Sequence, residues 1–255
     1  MQIRVATFNM QNGQPWRESD PDDEAVALDQ TLEFIRSLDA DILLLQEVER
    51  GYDGGRQIEP PPNYSRLRES LAGYDSYFHY PAINPEELPF GLGLAIFSRF
   101  PLSRKHHVSL PAPPVEFEFR GTKRRPSQRL FLEATAEIGG KKLRLMNTHL
   151  QAFFMIGLSS ERMRLQRDLV EAQLRQLRQP GILGGDFNCA PGENVVDQFV
   201  RAGFTAAQTR EVTWRRQPFV LDHLFFNAGL ELLECRVIPT LASDHHAVLG
   251  RFELL

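Results

Sequence analysis

Asn9, Glu47, His149, Asp186, Asn188, Asp222, Asp244 and His245 all stand where apolar runs of the sequence give out. Carboxylates and amides are hard oxygen donors that suit Mg²⁺ or Mn²⁺ better than zinc, and no Cys or multi-His cluster at zinc spacing competes with them. The two histidines add proton transfer or positive charge near neutral pH. A hard cation, carboxylates and imidazoles together fit cleavage of a phosphoryl ester by water. In-line attack on phosphorus needs an oriented nucleophile, relief for the leaving oxygen and positive charge over the equatorial oxygens; this set holds a candidate for each.

The elements that must position these groups follow a repeated plan. "QIRVATF" alternates as a strand and stops at Asn9. A helix is expected next, with Asp20, Asp22 and Asp23 at its start and a stripe of Val26, Leu28, Leu32, Ile35 and Leu38. The buried-type strand "DILLLQEV" then ends at Gln46 and Glu47. Later, "KKLRLMNTHL" ends at Asn147 and His149, "SSERMRLQRDLVEAQLRQLR" reads as an amphipathic helix with a serine cap, and "GILGGDFN" ends at Asp186 and Asn188. In that last strand Gly184 and Gly185 allow close backbone approach, alternation puts Asp186 and Asn188 on one side, and Pro191-Gly192 closes the run. Ligand clefts form at the carboxyl ends of strands in such units. Gly139-Gly140 signals a hairpin between "RLFLEATAEI" and "KKLRLMNTHL", and "GLAIFSRF", "FVLDHLFF", "ECRVIPT" and "SDHHAVLGRFEL" supply further strands.

Taken in order, "TFNM", "LLQEV", "GLAIFSRFPL", "NTHL", "GGDFN", "LDHLFF" and "SDHHAV" resemble the motif series of the endonuclease/exonuclease/phosphatase superfamily, from Asn9 to His246. The resemblance implies a four-layer α/β sandwich: two packed, mostly antiparallel mixed sheets flanked by helices, as a single catalytic domain over residues 1–255. It also implies roles. Glu47 is the main metal ligand, with Asn9 near metal or phosphate and Asp244 a further metal-side carboxylate. Asp186 orients or deprotonates the attacking water beside Asn188, His245 holds the scissile phosphate with Asp222 fixing its tautomer, and His149 serves the leaving oxygen. Gln11 stands where several members carry a metal-binding acid, so one tight divalent ion is expected rather than two. With both histidine positions filled, a phosphodiesterase is the first reading. Sphingomyelinase-like phospholipid phosphodiesterase, nuclease and small organophosphate hydrolase stay open as substrate classes. The inositol phosphatase branch, which carries Trp-Cys-Asp-Arg where this chain reads "VLDHLF", is disfavoured.

Taken singly, each residue has a plainer role. His149 or His245 alone reads as a structural histidine, Asp186 with Asn188 as a turn at a strand end, Glu47 as a strand cap and Asn9 as the start of an Asx turn. His106, His107 and His246 read as ordinary strand or surface residues. The basic run Arg120 to Arg129 reads either as a hairpin reaching toward polyanionic substrate or as a solvated turn. Gln151 to Gly157, with Phe153, Phe154, Met155 and Ile156, reads as a lid packed on the core, ahead of an apolar pocket lining or a membrane contact.

The 255 residues are 42% hydrophobic and 24% charged with a net charge of -4, an ordinary globular balance without the basic excess of a dedicated nucleic-acid binder. Cys189 and Cys235 form no disulfide framework and read as reduced. No apolar run reaches bilayer length and the first residues enter a strand directly, so a cytoplasmic protein without stable membrane insertion is expected. The rival from another class is a non-catalytic binding protein on the same fold, which would have lost acid or histidine positions that are all filled here.

Overall fold

The computed structural model describes residues 1–23, 25–51, 56–82 and 84–255. In chain order it contains β1 (Gln2–Asn9), α1 (Leu28–Ser37), β2 (Ile42–Gln46), α2 (Pro62–Ser70), β3 (Asp75–His79), β4 (Leu94–Ser98) and β5 (Leu102–Leu110). These are followed by β6 (Phe117–Phe119), β7 (Thr122–Arg124), β8 (Arg129–Ile138), β9 (Lys141–His149), α3 (Leu165–Gln176) and β10 (Gly181–Asp186). The chain continues through α4 (Val195–Arg201), β11 (Thr205–Ala206), β12 (Asp222–Phe226), β13 (Leu230–Ile238) and β14 (Ala247–Leu254).

Two six-stranded sheets result, ordered β13-β14-β1-β2-β4-β3 and β11-β12-β10-β9-β8-β5. Both strand-helix-strand units read from the sequence produce a parallel pair at the middle of a sheet, β1 with β2 and β9 with β10, and the other pairings are antiparallel. The central strands are buried on both faces, which explains their unbroken apolar runs: every residue of β2, β4, β10 and β12 is buried. Val5, Ile42, Leu44 and Ile96 of the first sheet meet Leu132, Leu145, Ile182 and Leu224 of the second in the core between them. Leu32, Ile35 and Leu67 of α1 and α2 cover the outer face of the first sheet, and Val170, Leu174 and Phe199 of α3 and α4 cover that of the second. The expected four layers are therefore present.

One polar bridge crosses this core. Asn147 of β9 donates from Nδ2 to the carbonyls of Leu45 and Ala95, both at 2.9 Å, and accepts from Gln46 Nε2 at 2.7 Å. A fully buried amide satisfied by the opposing sheet fixes how the two sheets register on each other. Glycine permits the same closeness one strand over. A Cβ on Gly184 would lie 2.6 Å from Leu44 Cδ1 and 3.0 Å from Thr7 Cβ, and one on Gly185 would lie 2.1 Å from the Thr148 carbonyl oxygen.

Several local expectations are corrected. Helix α1 begins at Leu28, after the acids, and Val26 is exposed. Asp22 and Asp23 instead pair with Arg216 and Arg17, and Asp23 accepts the Ala25 N–H, so these acids organise the loop rather than cap the helix. Helix α3 begins at Leu165 with no side-chain cap, because Ser159 and Ser160 are spent on the Glu193 carboxylate. The last strand starts at Ala247 rather than at Ser243. The basic run is split: Thr122–Arg124 pairs with Phe117–Phe119 in a small hairpin, whereas Arg129 is buried at the start of β8. Among the described residues no helix is long and apolar enough to cross a membrane.

Candidate active site

The carboxyl ends of β1, β2, β9 and β10 emerge on one side of the sandwich. Asn9 is in register with Gln46, and Asp186 with both His149 and Asp222. The chain turns sharply just past two of these ends: Glu47 and Asn188 adopt left-handed backbone, φ +51° and +46°, conformations that non-glycine residues rarely hold. For Asn188 this corrects the alternation argument. Strand β10 ends at Asp186, and the turn, not the pleat, brings Asn188 back to donate from Nδ2 to the Leu150 carbonyl at 2.9 Å.

Asp186 sits at the centre. Its Oδ2 accepts from Asn9 Nδ2 at 3.0 Å and lies 3.4 Å from His149 Nε2 and 3.8 Å from His245 Nε2. Its Oδ1 accepts the Asn188 N–H at 3.0 Å. Asn9 donates equally to Glu47 Oε1 at 3.0 Å, while its own Oδ1 accepts the Gln11 N–H, so this amide ties Glu47 to Asp186. The plainer turn readings of Asn9 and Asp186 thus hold as well: both make Asx turns, and those turns orient the site. Burial pushes the Asp186 carboxyl up to about 7, reinforced by Asp222 and opposed by His245 and Asn9. Glu47 is likewise raised by burial.

The two imidazoles differ. Burial opposes charge on His245, but Asp222 and Asp186 outweigh it and hold this ring protonated well above the usual histidine range. Its Nδ1 bonds Asp222 Oδ2 at 2.8 Å, and Asp222 is fixed in turn through its own N–H to Thr213 Oγ1 at 3.0 Å. His149 is driven well below the usual range by burial, then by Arg129 and His245, and is neutral. Its Nδ1 is buried and has no partner among the described residues, so the carboxylates near Nε2 favour the tautomer protonated there. Asp244 is braced by Trp214 Nε1 at 3.2 Å and Arg216 Nε at 2.9 Å, both on Oδ2, and its N–H donates to Gln11 Oε1 at 3.0 Å.

All these groups except Asn9 and Asp222 line one cleft of about 510 Å³. Its walls add Trp214, Arg216, Phe90 and Leu92, which the sequence does not assign to the site, and Arg129, the last residue of the basic run with a substrate-facing reading. Arg129 lay hidden at the end of a basic run, and Trp214 and Arg216 fall in "TWRRQ", a stretch without periodicity or motif. Phe153 is buried and Phe154 packs on Trp214 and Phe219, with ring centroids 5.5 Å away in each case, which supports the lid reading of Gln151 to Gly157 and puts Phe154 on the cleft wall. His107 stacks on His79 with centroids 3.5 Å apart, far along the sheets at the β3 and β5 edges.

The donor set fits a hard divalent cation. Half-buried Glu47 and fully buried Asp186 are both held back from ionising by desolvation, and a cation nearby would favour both charged forms. Asp186, Asp222 and His245 also bring ligand atoms within 4.8 Å of one another, a spacing able to hold a metal. The direct Asp222–His245 bond, however, reads better as a hydrogen-bonded pair than as a cage.

The family model described as "Endonuclease/Exonuclease/phosphatase family" matches residues 6–245. No curated protein matches the chain by sequence. Among solved structures, an endonuclease/exonuclease/phosphatase from Beutenbergia cavernae aligns with TM-score 0.71 and 22% identity, covering 99% of this chain and 72% of that one. The human Nocturnin catalytic domain with bound sulfate aligns with TM-score 0.69 and 22% identity over 100% and 95%. A mannosyl-6-phosphatase from Bacteroides thetaiotaomicron aligns with TM-score 0.63 and 19% identity over 99% of each chain. At these identities the structural likeness concerns the fold.

Proposed function

Because the chain belongs to the endonuclease/exonuclease/phosphatase family, we propose that it hydrolyses a phosphodiester with water, using one Mg²⁺ or Mn²⁺ held by Glu47 and Asp244 beside Asn9. The observation that carries this reading is the position of Asp186, a buried carboxylate set between the Asn9 amide and two imidazoles, one neutral and one protonated.

When bound, the cation would offset charge on the phosphoryl oxygens. Everything else is supplied by the chain. Asp186 orients the attacking water and takes its proton, held in place by Asn9 Nδ2 and the Asn188 N–H. Asn188, pinned to Leu150, steadies Asp186 through its N–H. His245, kept protonated by Asp222, donates from Nε2 to a non-bridging oxygen where transition-state charge accumulates. His149, neutral, offers its Nε2–H to the leaving oxygen.

Hydrolysis of bis(nitrophenyl) phosphate and nitrophenyl phosphate by metal-stripped protein, with Mg²⁺ or Mn²⁺ restored, tests the reading. Metal-dependent diester turnover that disappears in Asp186→Ala is expected. Turnover indifferent to metal and to Asp186 would overturn it.

A further inference from the structure

Arg129 carries an arrangement that packing alone does not explain. It opens β8, is only 8% exposed, and lines the same cleft as Glu47, His149 and Asp186. Its Nε and Nη2 both donate to one neutral oxygen, Gln151 Oε1, at 3.3 and 3.2 Å. Its Nη1 is buried with no hydrogen-bond partner among the described residues. Burial opposes the guanidinium charge, with Glu47 and Asp186 supporting it from a distance. A buried cation bonded to an amide rather than a carboxylate, with a donor unspent, is costly to keep. Arg216 on the same cleft shows the ordinary solution, its donors going to Asp244, Asp22 and the Pro21 carbonyl.

We propose that Arg129, oriented by Gln151, is a binding residue for a non-bridging oxygen of the substrate's phosphoryl group, completing its hydrogen bonds only when the anion is in place. This rests on the phosphoesterase reading of the same site. The guanidinium is suited to the task because it stays charged when buried and its fork matches phosphate oxygens. Gln151 is itself fixed: its N–H donates to Gln166 Oε1 at 3.0 Å, and Gln166 Nε2 donates to the Pro111 carbonyl at 3.0 Å, which anchors the subsite on α3 and the end of β5.

The test uses the Mg²⁺-equilibrated protein and inorganic phosphate as probe, with binding followed by calorimetry, beside KM and kcat for bis(nitrophenyl) phosphate. Arg129→Met is expected to weaken phosphate binding and raise KM by about tenfold to a hundredfold, with Tm unchanged or higher because a desolvated charge is removed. Arg129→Lys, which keeps the charge but not the fork, is expected to fall between. Asp186→Ala is expected to lose turnover but keep phosphate binding. Unchanged phosphate affinity and KM in Arg129→Met, or no phosphate binding by the wild type, overturns the inference. Should Arg129→Met fail to fold, the Lys variant decides, and wild-type affinity in that variant overturns it. Arg129-dependent phosphate binding in a wild-type protein that cleaves no ester would sink the phosphoesterase reading while leaving the anion subsite.

Discussion

Nδ1 of His245 and Oδ2 of Asp222 lie 2.8 Å apart although one residue leads into β14 of the first sheet and the other opens β12 of the second. The pair fixes the imidazole tautomer and its charge together, and it also ties the sheets at the cleft. Asp222→Asn should drop the His245 pKa and lower turnover by about 10²- to 10⁴-fold. The alkaline limb of the pH–rate profile should move to lower pH, because the protonated ring is lost sooner. A profile unmoved in the variant would mean that Asp222 does not govern His245.

Metal affinity provides a second check. Glu47, a proposed ligand, is raised by burial, so protons compete with the cation for it. Mg²⁺ or Mn²⁺ is expected to raise Tm in a concentration-dependent way, with an effect that shrinks as pH falls. Titration of metal-free protein should reveal one tight site, absent in Glu47→Gln. Two equally tight sites would contradict the arrangement around Gln11, whose side-chain oxygen is occupied by the Asp244 N–H.

Asn147 predicts a loss of stability rather than of chemistry. Asn147→Leu leaves the Leu45 and Ala95 carbonyls and Gln46 Nε2 without this partner in the core, and about 3 kcal/mol of destabilisation is expected from unsatisfied buried polar groups. Urea unfolding reads it directly as a lower midpoint. A midpoint within error of wild type would show that the bridge is dispensable.

His79 links stability to pH. Burial first, then His107, pushes its pKa down to about 4, below the 6.5 of the unfolded chain. Between those values the unfolded state binds the extra proton, so this group's contribution is present above pH 6.5 and is lost as pH falls toward 4. His79→Phe keeps a ring against His107 and removes the titration. Its Tm should therefore decline less than wild type between pH 6.5 and 4, and parallel curves would refute the assignment.

The sequence carried the framework because the signals were periodic. "DILLLQEV" and "GILGGDFN" are buried runs with a polar stop, and both became central parallel strands whose ends meet. Gly184 and Gly185 were legible as points of close approach for the same reason. Helix starts depart from the sequence pattern where side chains have other partners: Asp22 goes to Arg216 and Ser160 to Glu193, pairings between segments far apart in the chain. The turn at Asn188 is not legible in the sequence because a left-handed residue breaks the alternation of a strand. Trp214 and Arg216 are invisible in the sequence because tertiary contacts alone define their places, and within the basic run nothing local singles out Arg129 from its solvated neighbours.

Strand β1 lies between β14 and β2, with Gln2 opposite Glu253 and Asn9 opposite Gln46. The first strand of the sequence is therefore clasped by one of the last, and His245 is delivered to the cleft only when that clasp closes. Turnover would then report on assembly: a nascent chain that has already made Glu47, His149 and Asp186 remains chemically silent until the segment carrying His245 has been synthesised and has docked against the opening strand.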